Sequence, residues 1–187
     1  MTSGIHIKNV NIVNEGKIQQ ADVIIRDEII EDIVFNNQFA SFQELTVIDG
    51  QNLYALPGII DDQVHFRQPG LEHKADIYTE SKAAVAGGVT SYMEMPNTVP
   101  PTITQKLLEA KYKTASDLSL ANYSFYMGVT NNNADEVLKT PLDGVCGIKI
   151  FLGSSTGNLL VNNIDTIEKI FSKTKHIVAV HCEDDDI

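Results

Sequence analysis

Residues 56–70 read Leu-Pro-Gly-Ile-Ile-Asp-Asp-Gln-Val-His-Phe-Arg-Gln-Pro-Gly, an apolar run that turns polar and then breaks at Pro69-Gly70. The run 56–64 is short, rich in Ile and Val, and bounded by turn residues, so it reads as a strand. Gln63, His65 and Arg67 are spaced by two and share one face of an extended chain. Polar groups gathered on one face of a core strand cost desolvation unless something binds them. Two donors at this spacing suit one metal, and the planar fork of Arg67 suits a carboxylate.

Downstream, strand and helix alternate. Helices are expected at 77–86, 104–117, 134–139 and 164–173, and strands at 89–95, 121–129, 144–152 and 177–182. Gly87-Gly88 ends the first helix, and Thr102 or Thr104 can cap the second. Alternating strands and helices imply right-handed crossovers and a parallel sheet. The glycine-rich phosphate fingerprint of doubly wound nucleotide binders is missing after the first strand. Polar residues instead collect at strand ends: Gln63, His65 and Arg67, then Asn97, Lys149 and His181. A site assembled from many strand ends is the mark of a (β/α) barrel. Five of the usual eight strands are counted, so the chain is expected to be truncated relative to complete barrels, with residues 56–187 as the barrel's N-terminal part.

Upstream, residues 1–55 have another rhythm. Strand-like runs at 5–13, 21–25, 28–35 and 45–48 are separated by turn signals such as Asn14-Glu15-Gly16 and Asp49-Gly50, which makes a small all-β unit of the sandwich type. With 43% apolar and 21% charged residues, the composition is globular. A net charge of −11 without a basic cluster argues against nucleic acid and anionic membranes as partners. No apolar run reaches membrane-spanning length and the N-terminus lacks a signal peptide's apolar stretch, so a cytoplasmic protein is expected. Cys146 and Cys182 sit in apolar runs and read as buried thiols rather than a disulfide framework. His6 and His73 read as surface residues, and His176 falls at the end of its strand away from the site.

Three further segments carry chemistry. Glu94-Met95-Pro96-Asn97-Thr98 ends a strand in turn residues. In Gly147-Ile148-Lys149-Ile150-Phe151 a lysine stands in a central apolar strand, where an unpaired ammonium is costly. It either points into a polar barrel mouth, pairs with a carboxylate, or is functional. Val178-Ala179-Val180-His181-Cys182-Glu183 ends a strand on a histidine, a candidate ligand. Gly153-Ser154-Ser155-Thr156-Gly157 is either a plain loop or a flexible one able to meet an anion.

Pro57, Gly58, Asp61, His65, Arg67, Pro69 and Gly70 together resemble the signature of the dihydroorotases, members of the amidohydrolase superfamily, and Met95-Pro96-Asn97-Thr98 resembles a second dihydroorotase segment. One position departs: a ligand histidine of that signature is Gln63 here, and an amide oxygen is a weaker zinc ligand than imidazole. The resemblance implies zinc, two ions per complete site, with Gln63, His65, Lys149 and His181 at the metal positions and Lys149 carbamylated. It places Arg67 and Asn97 on the substrate carboxylate and Glu183 behind the ligands. It implies reversible hydrolysis of dihydroorotate to N-carbamoyl-L-aspartate in de novo pyrimidine biosynthesis, in a protein that can form homo-oligomers. It also implies a further ligand histidine, a general-base aspartate and strands completing the β unit beyond residue 187, so the 187-residue chain alone is expected to be inactive. Two alternatives stand beside this: a hydantoinase, dihydropyrimidinase or allantoinase, which generally lack an arginine at position 67, and a non-catalytic dihydroorotase-like scaffold, favoured by Gln63.

Overall fold

A computed structural model describes residues 4–35, 45–153 and 157–183. Ser154, Ser155 and Thr156 of the glycine–serine loop, and the acidic run from Asp184 onward, lie outside the described residues. The chain divides into two compact units, Met1–Pro57 and Gly58–Ile187.

The first unit is a five-stranded mixed sheet. Strands β1 (Gly4–Asn14), β2 (Lys17–Arg26) and β3 (Ile29–Phe35) form an antiparallel meander, while β4 (Leu45–Asp49) and the two-residue β5 (Tyr54–Ala55) pair parallel to β1. Glu15 and Gly16 both hold positive φ at the β1–β2 turn, the backbone that matches a hairpin's twist. A bulge near Asn9 interrupts β1, and its displaced amide donates to Asp22 Oδ1 at 2.8 Å. Asp22 Oδ2 meets His6 Nε2 at 2.7 Å with both residues buried. His6 is therefore a core residue and not a surface one. Its neighbours Ile5 and Ile7 hid the partner, which lies sixteen residues away across the hairpin.

In the second unit, β6 (Ile59–Val64), β7 (Val89–Glu94), β8 (Asn122–Gly128), β9 (Gly147–Phe151) and β10 (Val178–His181) run parallel in sequence order as a curled half-barrel. The crossovers carry α1 (Ile77–Ala86), α2 (Gln105–Leu118), α3 (Ala134–Val137) and α4 (Ile164–Lys173). Strand β6 starts at Ile59, later than the expected residue 56. Ile59 N–H donates to Gly88 O, and a side chain at Gly58 would strike Thr90, so only here does the chain enter the sheet. Asp76 and Thr79 cap α1 reciprocally, Thr104 caps α2 and Asn163 caps α4.

The core lies between sheet and helices in two clusters. Phe66, Ile77, Tyr92, Leu108, Ala115 and Phe125 form one. Met127, Val129, Ile148, Ile150, Val161 and Ile170 belong to the other. Cys146 is half-buried, but Cys182 is exposed because its strand stops at His181 and the chain turns outward there.

Burial pushes the Cys146 thiol up to about 11 and the Tyr92 hydroxyl up to about 12. Both acids are thus held neutral in the fold while the unfolded chain ionises at lower pH. Their contribution is intact below the unfolded values and fades as pH climbs through the folded ones. The melting temperature should fall between pH 9 and 11, and Cys146→Ala should flatten the lower part of that fall, as scanning calorimetry at stepped pH would show.

Candidate active site

Alternation along the strands decides which side chains face away from the helices. Val64, Met127, Ile148, Ile150, Val178 and Val180 belong to the helix-side clusters. Gln63, Lys149 and His181 are each one residue out of step with them and take the opposite, concave face.

On that face the Lys149 ammonium stands 4.9 Å from the Phe151 ring centroid, and Phe151 meets the His181 ring edge-on at 5.2 Å. Lys149 is 1% exposed. Burial lowers its pKa, and among the described residues no carboxylate forms an ion pair with it. It thus sits closer to the neutral amine than an exposed lysine would. His65 feels the same environment: burial lowers its pKa first, the Asn97 hydrogen bond opposes this, and the charges of Arg67, Lys149 and His181 lower it further. His65 and Arg67, just beyond β6, are thus close enough to Lys149 on β9 and His181 on β10 for these charges to act on the His65 ring.

His65 Nδ1 lies 2.9 Å from Asn97 Oδ1. With the amide oxygen as acceptor, Nδ1–H donates and the Nε2 lone pair is left free, which is the tautomer a metal requires. Asn97 thus orients a candidate ligand. Gln63 is exposed, and its backbone amide donates to Asp61 Oδ1 at 3.1 Å. Its side chain makes no hydrogen bond among the described residues, unlike His65. Arg67 is half-buried with φ of +70°, and its guanidinium has no carboxylate partner among the described residues. The described residues contain no group of three His, Cys, Asp or Glu side chains placed to hold a metal. The donors present are two imidazoles and a lysine. The two imidazoles suit zinc as they stand, whereas Lys149 suits it only once its ammonium has lost its charge or become an anion.

The tips of β6 and β7 are stitched together. Met95 N–H donates to Val64 O at 3.0 Å, Val99 N–H to Pro69 O at 2.9 Å, and Phe66 N–H to Glu94 Oε1 at 3.0 Å. Gly70, at φ +86°, makes the approach possible: a Cβ there would collide with Val99 O. Glu94 in turn lies 2.9 Å from Lys111 Nζ on α2. Reading from sequence missed Glu94 and Lys111. A signal existed, since Leu108, Lys111, Ala115 and Leu118 fall at helical spacing and set the lysine on α2's apolar face.

Among the described residues no helix is long and apolar enough to cross a membrane. Residues 53–187 match the family described as Dihydro-orotase-like. Over 185 residues the chain is 35% identical to a dihydroorotase of Methanosarcina acetivorans, covering 97% of this chain and 39% of that protein. A dihydroorotase of Carboxydothermus hydrogenoformans is 38% identical over 137 residues, which is 72% of this chain and 31% of that one. In structure, an L-hydantoinase (dihydropyrimidinase) from Arthrobacter aurescens superposes with a TM-score of 0.89 at 25% identity, covering all of this chain and 42% of its own length. The chain thus spans about two fifths of the relatives it matches along its length.

Proposed function

We propose a function on the premise that this chain belongs to the dihydro-orotase-like family of the amidohydrolase superfamily: it supplies the substrate-carboxylate pocket and the first metal ligands of a dihydroorotase. The reaction is reversible opening of the dihydroorotate ring to N-carbamoyl-L-aspartate. The observation that carries this reading is the half-buried guanidinium of Arg67, without a carboxylate partner among the described residues and held in a left-handed turn beside His65. A cation fixed there and left uncommitted answers a carboxylate-bearing ring.

The family is of the metal-dependent type. His65 and His181 would hold zinc through imidazole nitrogen, and Lys149 would join them as a carbamate. The neutral amine of Lys149 would attack the carbon of carbon dioxide: an N–C bond forms, one C=O π pair moves onto oxygen, and an N–H proton leaves to solvent. A neutral amine among cations thereby becomes an anion. The chemistry zinc supplies in such a site is an acidified water and a polarised carbonyl. This chain's own part is to orient. Arg67 pairs with the substrate carboxylate, and Asn97 keeps its oxygen on His65 Nδ1 while its amide nitrogen stays available to the carboxylate. Holding the ring in one pose lowers the entropic part of the barrier.

The likeness to the hydantoinase favours a second reading, a ring substrate without a carboxylate. Arg67 decides between them. Arg67→Met should raise the KM for dihydroorotate by roughly 10- to 100-fold, the loss of one charged pairing of about 1.4–2.7 kcal/mol, and leave dihydrouracil unaffected. The assay is ring opening followed in the ultraviolet with zinc and bicarbonate supplied and a chelator control, in a protein extended to the complete barrel, since the 187-residue chain alone is expected to be inactive. Equal turnover of dihydrouracil and dihydroorotate by the parent protein would sink the dihydroorotase reading.

A further inference from the structure

Glu94 and Lys111 form a buried charge pair that the proposed chemistry does not use. Each side chain is 1% exposed, and Lys111 Nζ stands 2.9 Å from Glu94 Oε2. The other directions of the ammonium are also taken. It donates to Met95 O at 3.1 Å and lies 5.0 Å from the Phe125 ring centroid. The second carboxylate oxygen, Oε1, accepts from Phe66 N–H at 3.0 Å, and the Arg67 backbone amide also stabilises the carboxylate. A buried ion pair is weak evidence for stability, since two apolar side chains of similar volume often do as well. What an apolar pair cannot do is hold particular amides and carbonyls at particular places.

Those places matter. Phe66 sits between His65 and Arg67, and Met95 lies two residues before Asn97. The backbone at Arg67 is in the left-handed region, which a non-glycine residue adopts only when its surroundings impose it. The carboxylate of Glu94 meets the chain at the entry to that turn. We propose that the Glu94–Lys111 pair is a positioning device. It grips the exit of β6 through Glu94 and the exit of β7 through Lys111, and so fixes the register in which His65, Arg67 and Asn97 face one another. Neither residue touches substrate or metal. The roles given to His65, Arg67 and Asn97 rest on the dihydroorotase reading, but the grip itself does not.

The test uses the 187-residue chain and needs no turnover. Glu94→Leu with Lys111→Met replaces the pair by apolar groups and should leave the fold in place. Native-state hydrogen exchange by NMR should then show the Phe66 and Arg67 amides exchanging faster by about tenfold or more, with Ile148 and Ile150 unchanged within about twofold. The His65 ring ¹⁵N spectrum should change from one tautomer to a mixture as its partner Asn97 drifts. Unchanged exchange at Phe66 and Arg67, or uniform acceleration across the half-barrel, would overturn the proposal. Should the apolar pair fail to fold, Glu94→Gln with Lys111→Met decides it. That pair keeps an oxygen for Phe66 N–H but releases Met95 O, so Phe66 should stay protected while His65 loses its single tautomer. A single tautomer retained there would equally overturn it. Because both readouts are structural, a chain that turns over no dihydroorotate can still pass or fail.

Discussion

Replacing Lys149 by methionine is expected to abolish ring-opening activity while leaving the protein at least as stable. The argument starts in β9, whose five residues are all buried. Ile148 and Ile150 pack toward the helices, and Lys149 takes the concave face, where its nearest described companions are an aromatic ring and cationic or neutral groups. Burying an ammonium without an anion is unfavourable, so a fold that keeps it there is better off with methionine. Evolution of stability alone would not hold a lysine at this point. Function explains it if the depressed pKa makes the amine free to bind carbon dioxide. Loss of that one anionic group should cost at least roughly 100- to 1000-fold in kcat, the usual range for removing a preorganised electrostatic group. Lys149→Arg should be equally inactive, because guanidinium does not release its proton. Two measurements decide it together: steady-state kinetics of both variants made in a protein extended to the complete barrel, and a ¹³C spectrum of parent and variants equilibrated with ¹³C-bicarbonate. A methionine variant with parental kcat would remove the carbamate from the reading.

The half-barrel was legible because its pattern is local. Strand 59–64 passes from isoleucines to polar residues, α1 ends at paired glycines, and β9 is a continuous apolar run interrupted only by Lys149. Each of these is written within a dozen residues. That the strand-end residues Lys149 and His181 lie on one side of the sheet was legible for the same reason, since a parallel sheet brings every strand end to one side. Long-range partnerships were not legible. Nothing near His6 announces Asp22, so a core histidine looked like a surface one. Nothing near Asn97 announces that its oxygen is turned to His65, thirty-two residues earlier. Cys182 erred the other way: its apolar neighbours suggested burial, but the strand ends one residue before it.

Lys111 makes the same point quantitatively, through the second large effect. Lys111→Met alone should destabilise the half-barrel by about 3–5 kcal/mol, because it leaves Glu94 buried without its counter-ion. In a domain of this size each kcal/mol moves the melting temperature by about 2–4 °C, so a fall on the order of 10 °C is expected. The pH dependence identifies the cause. Burial already pushes the Glu94 carboxyl above its usual value, opposed by Lys111. With the lysine gone that opposition disappears and the carboxyl rises further. A carboxyl whose folded pKa is raised contributes most below the unfolded pKa, and its contribution is lost as pH climbs through the folded one. The variant should therefore be closest to the parent near pH 4 and furthest from it near pH 7. Adding Glu94→Gln removes the buried charge and should recover much of the loss at pH 7, so the two substitutions will not be additive. A variant equally destabilised at both pH values would place the damage in the packing of α2 against Phe125 and not in the stranded carboxylate.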